Sequence, residues 1–155
     1  MKDSDNTFIF DNANDSTGFL LWQLTNLWQR EIKIVLAKYD LTHSQFVLLA
    51  SIHWLTLHNE NVTQIALSSH TKIDPMTTST VLRTLQKKGL LKREEHSIDT
   101  RAKTVELTKK GIGIIKNAIQ TVEEFDASFF KSLGKKIEDF NNKILLLLSY
   151  KEENS

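Results

Sequence analysis

Cysteine is absent from the 155-residue sequence. Disulfides, thiolate metal sites, cysteine nucleophiles and direct thiol sensing are therefore excluded. Proline occurs once and glycine five times, which favours long regular elements over a turn-rich fold. Long apolar runs are also missing. The densest stretch covers residues 144–148, far short of the roughly 18 residues that read as a membrane span. Residues 1–16 lack the basic start and apolar core of a secretory signal. A cytoplasmic chain with no membrane partner is the expectation. No nucleophile elbow, phosphate loop or spaced ligand cluster occurs. The chain is accordingly expected not to be an enzyme and to need no cofactor. Among its histidines, His53 and His58 are five apart, a poor spacing for one helical face, and no metal is assigned.

What is present is an ordinary globular composition, 40% hydrophobic and 25% charged, of a size that suits one domain with helical extensions. The formal net charge is only +1, but it is unevenly spread. Residues 70–110 carry ten basic and five acidic side chains, a net +5, against −4 for the remainder. A basic middle between acidic flanks fits either a polyanionic partner or a charged solvated face.

Hydrophobic spacing predicts a mainly α fold with a small β-hairpin. Residues 1–15 read as a loose arm, with Phe8, Ile9 and Phe10 as its apolar part. The first helix starts at Ser16 or Thr17 and runs to about residue 38, with a wide apolar surface that implies burial on more than one side. Thr42 with Gln45 three residues on forms a capping-box signature for a second helix, to about residue 57. Thr63 caps a short third helix, to about residue 69. Asp74 and Pro75 open a fourth, over 75–88, closed by Gly89. This helix is expected to bury Met76 or Thr77 together with Val81, Leu82 and Leu85. Strand candidates at 90–94 and 102–107 flank a polar turn. Thr108 caps a long helix, Leu133-Gly134 breaks it, and a last helix ends near Tyr150. The expected division is an arm at 1–15, one domain at 16–150 and a tail at 151–155. Within that domain, a core at about 42–107 lies between outer helices at about 16–38 and 108–150.

Two short helices joined by a tight turn and followed by a hairpin describe a winged helix-turn-helix. The second helix of such a unit must be narrow and polar outside to enter a major groove about 12 Å wide. Thr77, Thr78, Ser79 and Thr80 supply small hydroxyl side chains near its start, and Arg83 lies further along with reach to a base edge or a phosphate. The same run also reads as a helix start rich in weak helix formers. Lys72, in the preceding turn, is a phosphate candidate. Arg101, just past the hairpin turn, is placed to enter the adjacent minor groove, with Asp99 restraining it; an ordinary exposed ion pair is the alternative. Lys92, Arg93 and Lys103 contact the DNA backbone or solvate the strands. The apolar outer helices offer a surface for joining two copies, and a symmetric dimer would prefer a palindromic site read by helices about 34 Å apart. A larger bundle within one chain would account for the same pattern. A winged fold used for protein contacts without DNA is the competing functional reading.

From Gly18 to Leu148 the chain resembles the MarR family of bacterial transcription regulators. The resemblance is carried by Leu41-Thr42 with Gln45-Phe46, Thr63-Gln64-Ile65-Ala66, the segment from Asp74 to Gly89, and above all Asp99-Thr100-Arg101-Ala102-Lys103 followed by Leu107-Thr108-Lys109-Lys110-Gly111. It implies a sequence-specific regulator of double-stranded DNA, commonly a repressor. It implies an obligate homodimer built from the terminal helices, Arg101 in the minor groove restrained by Asp99, and control by a small molecule or stress signal. It also implies a ligand pocket between the dimer helices and the DNA-binding lobe, for which Trp22, Trp28, Phe46, His53 and Trp54 are lining candidates. Core packing explains these five equally well.

Overall fold

The structure, a computed structural model, describes Asp5 and residues 7–58, 61–94 and 104–150. Helix α1 (Thr17–Leu36) tightens at its end into a 3-10 turn, Ala37–Tyr39. Asp40 then adopts a left-handed conformation, φ 53°, that reverses the chain. Helix α2 (His43–Leu57) begins at the capping box foreseen in the sequence. The Gln45 amide donates to Thr42 Oγ1 at 3.2 Å and the Thr42 amide to Gln45 Oε1 at 3.1 Å. Phe46, Leu48, Leu49, Ile52 and Leu55 are all buried, so α2 is apolar on several sides and forms the centre of the lobe.

Helix α3 (Gln64–Thr71) is capped by Thr63 and runs two residues past its expected end, because Lys72 rather than a glycine takes the left-handed terminal position, φ 63°. Helix α4 (Pro75–Lys87) is capped by Asp74 and followed by Gly89 at φ 74°. Strands β1 (Leu91–Glu94) and β2 (Thr104–Leu107) pair antiparallel, from Leu91 opposite Leu107 to Glu94 opposite Thr104. The Val105 amide also donates to the Val62 carbonyl at 2.8 Å, so the hairpin is stitched to the residue that precedes the α3 cap, Thr63. Helices α5 (Lys109–Phe129) and α6 (Ile137–Leu148) complete the chain, separated by a 3-10 segment in which Gly134 turns the backbone at φ 53°. Among the described residues no helix is long and apolar enough to cross a membrane.

One core joins these elements. Leu36, Leu49, Ile52, Leu67, Leu82, Leu85, Leu91 and Ile115 come from six different elements and are essentially inaccessible. The junction behind α4 is unusually close. The Thr108 amide donates to the Leu90 carbonyl at 3.1 Å and its hydroxyl to the Gly89 carbonyl at 2.7 Å. A Cβ on Gly111 would lie 2.0 Å from that Leu90 oxygen. Only glycine permits α5 to start this near the end of α4.

The periphery is different. Phe19, Leu20, Leu24 and Leu27 on the first half of α1 are exposed, as are Ile144 and all four leucines that end α6. The substantial packing of α6 within the chain is confined to the 3-10 segment before it. The breadth of the α1 pattern is therefore split: Ile32 and Leu36 enter the lobe core, whereas the earlier turns face outward.

Candidate nucleic-acid interface

The turn between α3 and α4 is built by short polar side chains. Ser68 Oγ donates to the Ile73 carbonyl at 2.6 Å, and the Ile73 amide donates to Thr71 Oγ1 at 3.2 Å. The Thr77 amide donates to Asp74 Oδ1 at 2.8 Å. The Thr77 hydroxyl and then this amide hold the Asp74 carboxyl below the usual carboxylate range. The negative cap is thus kept at the positive end of the helix dipole.

Four consecutive helical residues cannot all face outward, since each step rotates by about 100°. Thr78 is the one turned inward. It is 0% exposed, and its hydroxyl donates to the Asp74 carbonyl at 2.9 Å. This corrects its assignment as a DNA contact: it stands in line with Leu82 and Leu85 and seals α4 onto the lobe. Neither Met76 nor Thr77 is buried; Thr78 takes the first inward place instead, while Leu82 and Leu85 are buried and Val81 packs against the core as expected. The outward face consists of Met76, Thr77, Thr80, Arg83, Thr84 and Lys87, with Ser79 half-buried at its margin. Thr84 and Lys87 were missed, although four- and seven-residue steps from Thr80 lead to them. The Thr80 hydroxyl donates to the Met76 carbonyl at 3.1 Å and that of Thr84 to the Thr80 carbonyl at 3.3 Å. Each therefore presents a methyl group and acceptor lone pairs outward.

The cations around this helix divide by partner. Lys72 is exposed at the turn. Arg93 Nε donates to Gln86 Oε1 at 2.9 Å and ties β1 to α4. Lys88 bridges to the start of α2, donating to the Asp40 carbonyl and pairing with its carboxylate at 3.4 Å. It is a strut rather than a groove-facing cation. Asp99, Arg101 and Lys103 lie outside the described residues.

The five aromatic and histidine candidates have separate surroundings. Phe46 is buried in the core. Trp28 is half-buried; its indole donates to Asp126 Oδ1 at 2.9 Å and its ring meets the edge of His43, with centroids 5.0 Å apart. Trp54 stacks on His58, Trp22 is 68% exposed on α1, and His53 is half-buried. None of them lines the open groove of about 870 Å³ at the junction of α1, α2 and the end of α4. That groove is bordered by Gln29, Lys33, Thr42, His43, Gln45 and Lys88, among others. Burial holds His43 below the usual imidazole range, opposed by the nearby Asp126 carboxylate.

Comparison with known proteins agrees with this geometry. Residues 37–126 match the ArnR1-like winged-helix domain. The chain is 42% identical over 141 residues to the uncharacterized HTH-type transcriptional regulator YdcH of Bacillus subtilis (strain 168), covering 91% of this chain and 95% of that protein. Its fold is similar to that of MepR from S. aureus, solved as a DNA complex, with a TM-score of 0.77 at 21% identity over 90% of this chain and 99% of MepR. It is also similar to the transcription regulator MarR from Oenococcus oeni, with a TM-score of 0.68 at 27% identity over 86% of this chain and 98% of that one. The recognition-helix geometry, the hairpin stitched to α3 and these likenesses converge: the chain belongs to the HTH-type transcription regulators with an ArnR1-like winged-helix domain, and its fold is that of MarR-family proteins.

Proposed function

We propose that the chain works in the cytoplasm as a homodimeric repressor that reads a palindromic double-stranded site, with a small ligand or stress signal releasing it. The observation that carries this reading is the outward face of α4. A row of threonines and Arg83 stands clear of the lobe, on a helix sealed from below by Thr78, Leu82 and Leu85. In this reading Thr77, Ser79, Thr80 and Arg83 address the major groove and Lys72 a phosphate. Arg101, restrained by Asp99, enters the minor groove, and Lys103 touches the backbone. Residues 16–150 act as one unit, in which the core at 42–107 reads DNA and the outer helices join the two copies. The groove beside Lys33, His43 and Lys88 is the natural effector site, because it lies where the outer helix α1 meets the lobe.

Selection of bound fragments from the source organism's genomic DNA tests the proposal. The expected product is a two-fold-symmetric motif whose half-sites are one helical turn apart. Binding should weaken steeply with salt. Fragments with no common motif, or equal retention by wild type and Arg83→Ala, would refute specific readout.

A further inference from the structure

The outward threonines of α4 are polar in composition but largely apolar in what they present. A threonine hydroxyl has one proton to donate, and on this face each is committed within the chain. Thr77 donates to the Asp74 carboxylate, Thr80 to the Met76 carbonyl and Thr84 to the Thr80 carbonyl. In Thr80 and Thr84 the oxygen is held against the preceding turn, which leaves the γ-methyl facing away from it. Met76, Thr80 and Thr84 stand four residues apart, so they stack along one helical face. Met76 is 81% exposed, and both threonines are exposed beside it.

An apolar row on a helix that enters the major groove calls for an apolar counterpart. The base edges there carry one such group, the thymine C5-methyl. A G·C pair offers only donors and acceptors, which a row of methyls would strip of water and leave without partners, at a cost in free energy. From Met76 to Thr84 the helix rises about 12 Å, the length of about three to four base pairs at roughly 3.4 Å each.

We propose that Met76, Thr80 and Thr84 form a methyl ridge that reads thymine C5-methyl groups, so that each half-site holds A·T pairs beneath α4. The inference rests on the DNA readout proposed above and names the base chemistry that this helix selects. Arg83 and Lys87, three residues on from Thr80 and Thr84, run alongside the ridge and supply the charged contacts at its flank. Thr80 contributes through its methyl rather than through its hydroxyl.

Deoxyuridine lacks only the methyl of thymidine, so the DNA becomes the variant and the protein stays intact. Duplexes carrying the genomically selected motif are made with uracil at each thymine in turn, and their affinities are measured by fluorescence anisotropy. Uracil beneath α4 should weaken binding about fourfold for each methyl lost, the worth of one buried carbon group. Uracil in the spacer between half-sites should have no effect. Thr80→Ser keeps the hydroxyl and loses the methyl; it should abolish the uracil response at one thymine and leave the others. Thr80→Val keeps the methyl and loses the hydroxyl; it should preserve the response at every position. A half-site without A·T pairs, uracil tolerated throughout it, or equal weakening by spacer uracil overturns the methyl ridge while specific DNA readout stands. So does a Thr80→Ser protein that keeps every response, or a Thr80→Val protein that loses one. A wild-type protein that selects no motif overturns both readings.

Discussion

Gly111→Ala is the most informative single change in the lobe, because two physical effects predict opposite signs. Gly111 lies in the first turn of α5, where replacing glycine by alanine in a helix gains at most about 1 kcal/mol from propensity. The new methyl, however, would sit 2.0 Å from the Leu90 oxygen, and that separation must open to the 3.4 Å of ordinary contact. Moving α5 away breaks the Thr108 amide bond to Leu90 and the Thr108 hydroxyl bond to Gly89, each worth about 0.5–1.5 kcal/mol. Forced overpacking adds about 1–3 kcal/mol. The net expectation is a loss of about 1–5 kcal/mol. Gly113→Ala is the control: nothing lies within 4 Å of its added Cβ, so the same substitution two residues on should stabilise by about 0.5–1 kcal/mol. Urea denaturation at a fixed protomer concentration measures both, since the stability of an oligomer depends on concentration. A Gly111→Ala protein as stable as wild type, or more stable, would refute the close-approach argument.

Further expectations test other parts of the lobe. Arg83→Ala should weaken binding to the selected DNA site by about 1–3 kcal/mol if the guanidinium reads a base bidentately, read by fluorescence anisotropy, with the unfolding midpoint unchanged. Thr78→Val should do the reverse, lowering stability by about 1 kcal/mol through loss of the hydroxyl bond to Asp74 while leaving DNA affinity alone; a large affinity loss with intact stability would restore Thr78 to the groove face. Trp28→Phe removes the indole bond to Asp126 and should cost about 1.5–3 kcal/mol, the range for a bond to a charged group, in chemical denaturation. His43 titrates below its ordinary value of 6.5 because it is buried. The unfolded chain therefore takes up the proton first, and His43's contribution to stability is full above pH 6.5 and falls as pH drops through its folded value; His43→Gln should flatten that slope, and an unchanged slope would place its source elsewhere. The Asp74 cap has the same sign at lower pH, since its folded value also lies below normal, and Asp74→Asn should retain the helix while removing the acid-side dependence.

Local chemistry made the helix starts legible. Thr42, Thr63, Asp74 and Thr108 each cap the helix that follows through a side-chain oxygen, and such caps depend on residues three apart in sequence. Phase was harder to read. In α4 the polar hydroxyl of Thr78, not an aliphatic side chain, takes the first buried place, because its own backbone satisfies it. Hydrophobicity alone ranks Met76 above Thr78 for that position and fails. The aromatic candidates were hard to place for a related reason. Trp28, Phe46 and Trp54 are alike in composition but belong respectively to an inter-helix hydrogen bond, the core and the surface. Only tertiary contacts separated by many residues, such as Trp28 with Asp126, tell them apart. Gln29, Lys33 and Lys88 around the groove carry no local signal, since they come from α1 and the end of α4 and meet α2 only on folding.

The hydrogen bonds also constrain how an effector can act in the proposed function. The end of α4 is tied to β1 through Gln86 and Arg93, to the turn between α1 and α2 through Lys88 with Asp40, and to α5 through Thr108 with Gly89. Helix α5 is tied in turn to α1 through Asp126 and Trp28, and to the end of α1 through Tyr39, whose hydroxyl donates to the Asn117 carbonyl at 3.2 Å. Loosening α4 within its own lobe would break several of these bonds together, at about 0.5–1.5 kcal/mol each. A ligand seated beside Lys33, His43 and Lys88 acts instead at the junction of α1 and α2, and a shift of α1 there changes the separation of two intact lobes. DNA discriminates strongly on that separation, because recognition helices must be about 34 Å apart to enter successive turns of one groove face. The proposed effector should therefore weaken binding to the full palindrome far more than binding to a single half-site, and competition with half-site and full-site duplexes measures the ratio. Equal weakening of both would locate the change inside the lobe, against the bonding pattern around α4.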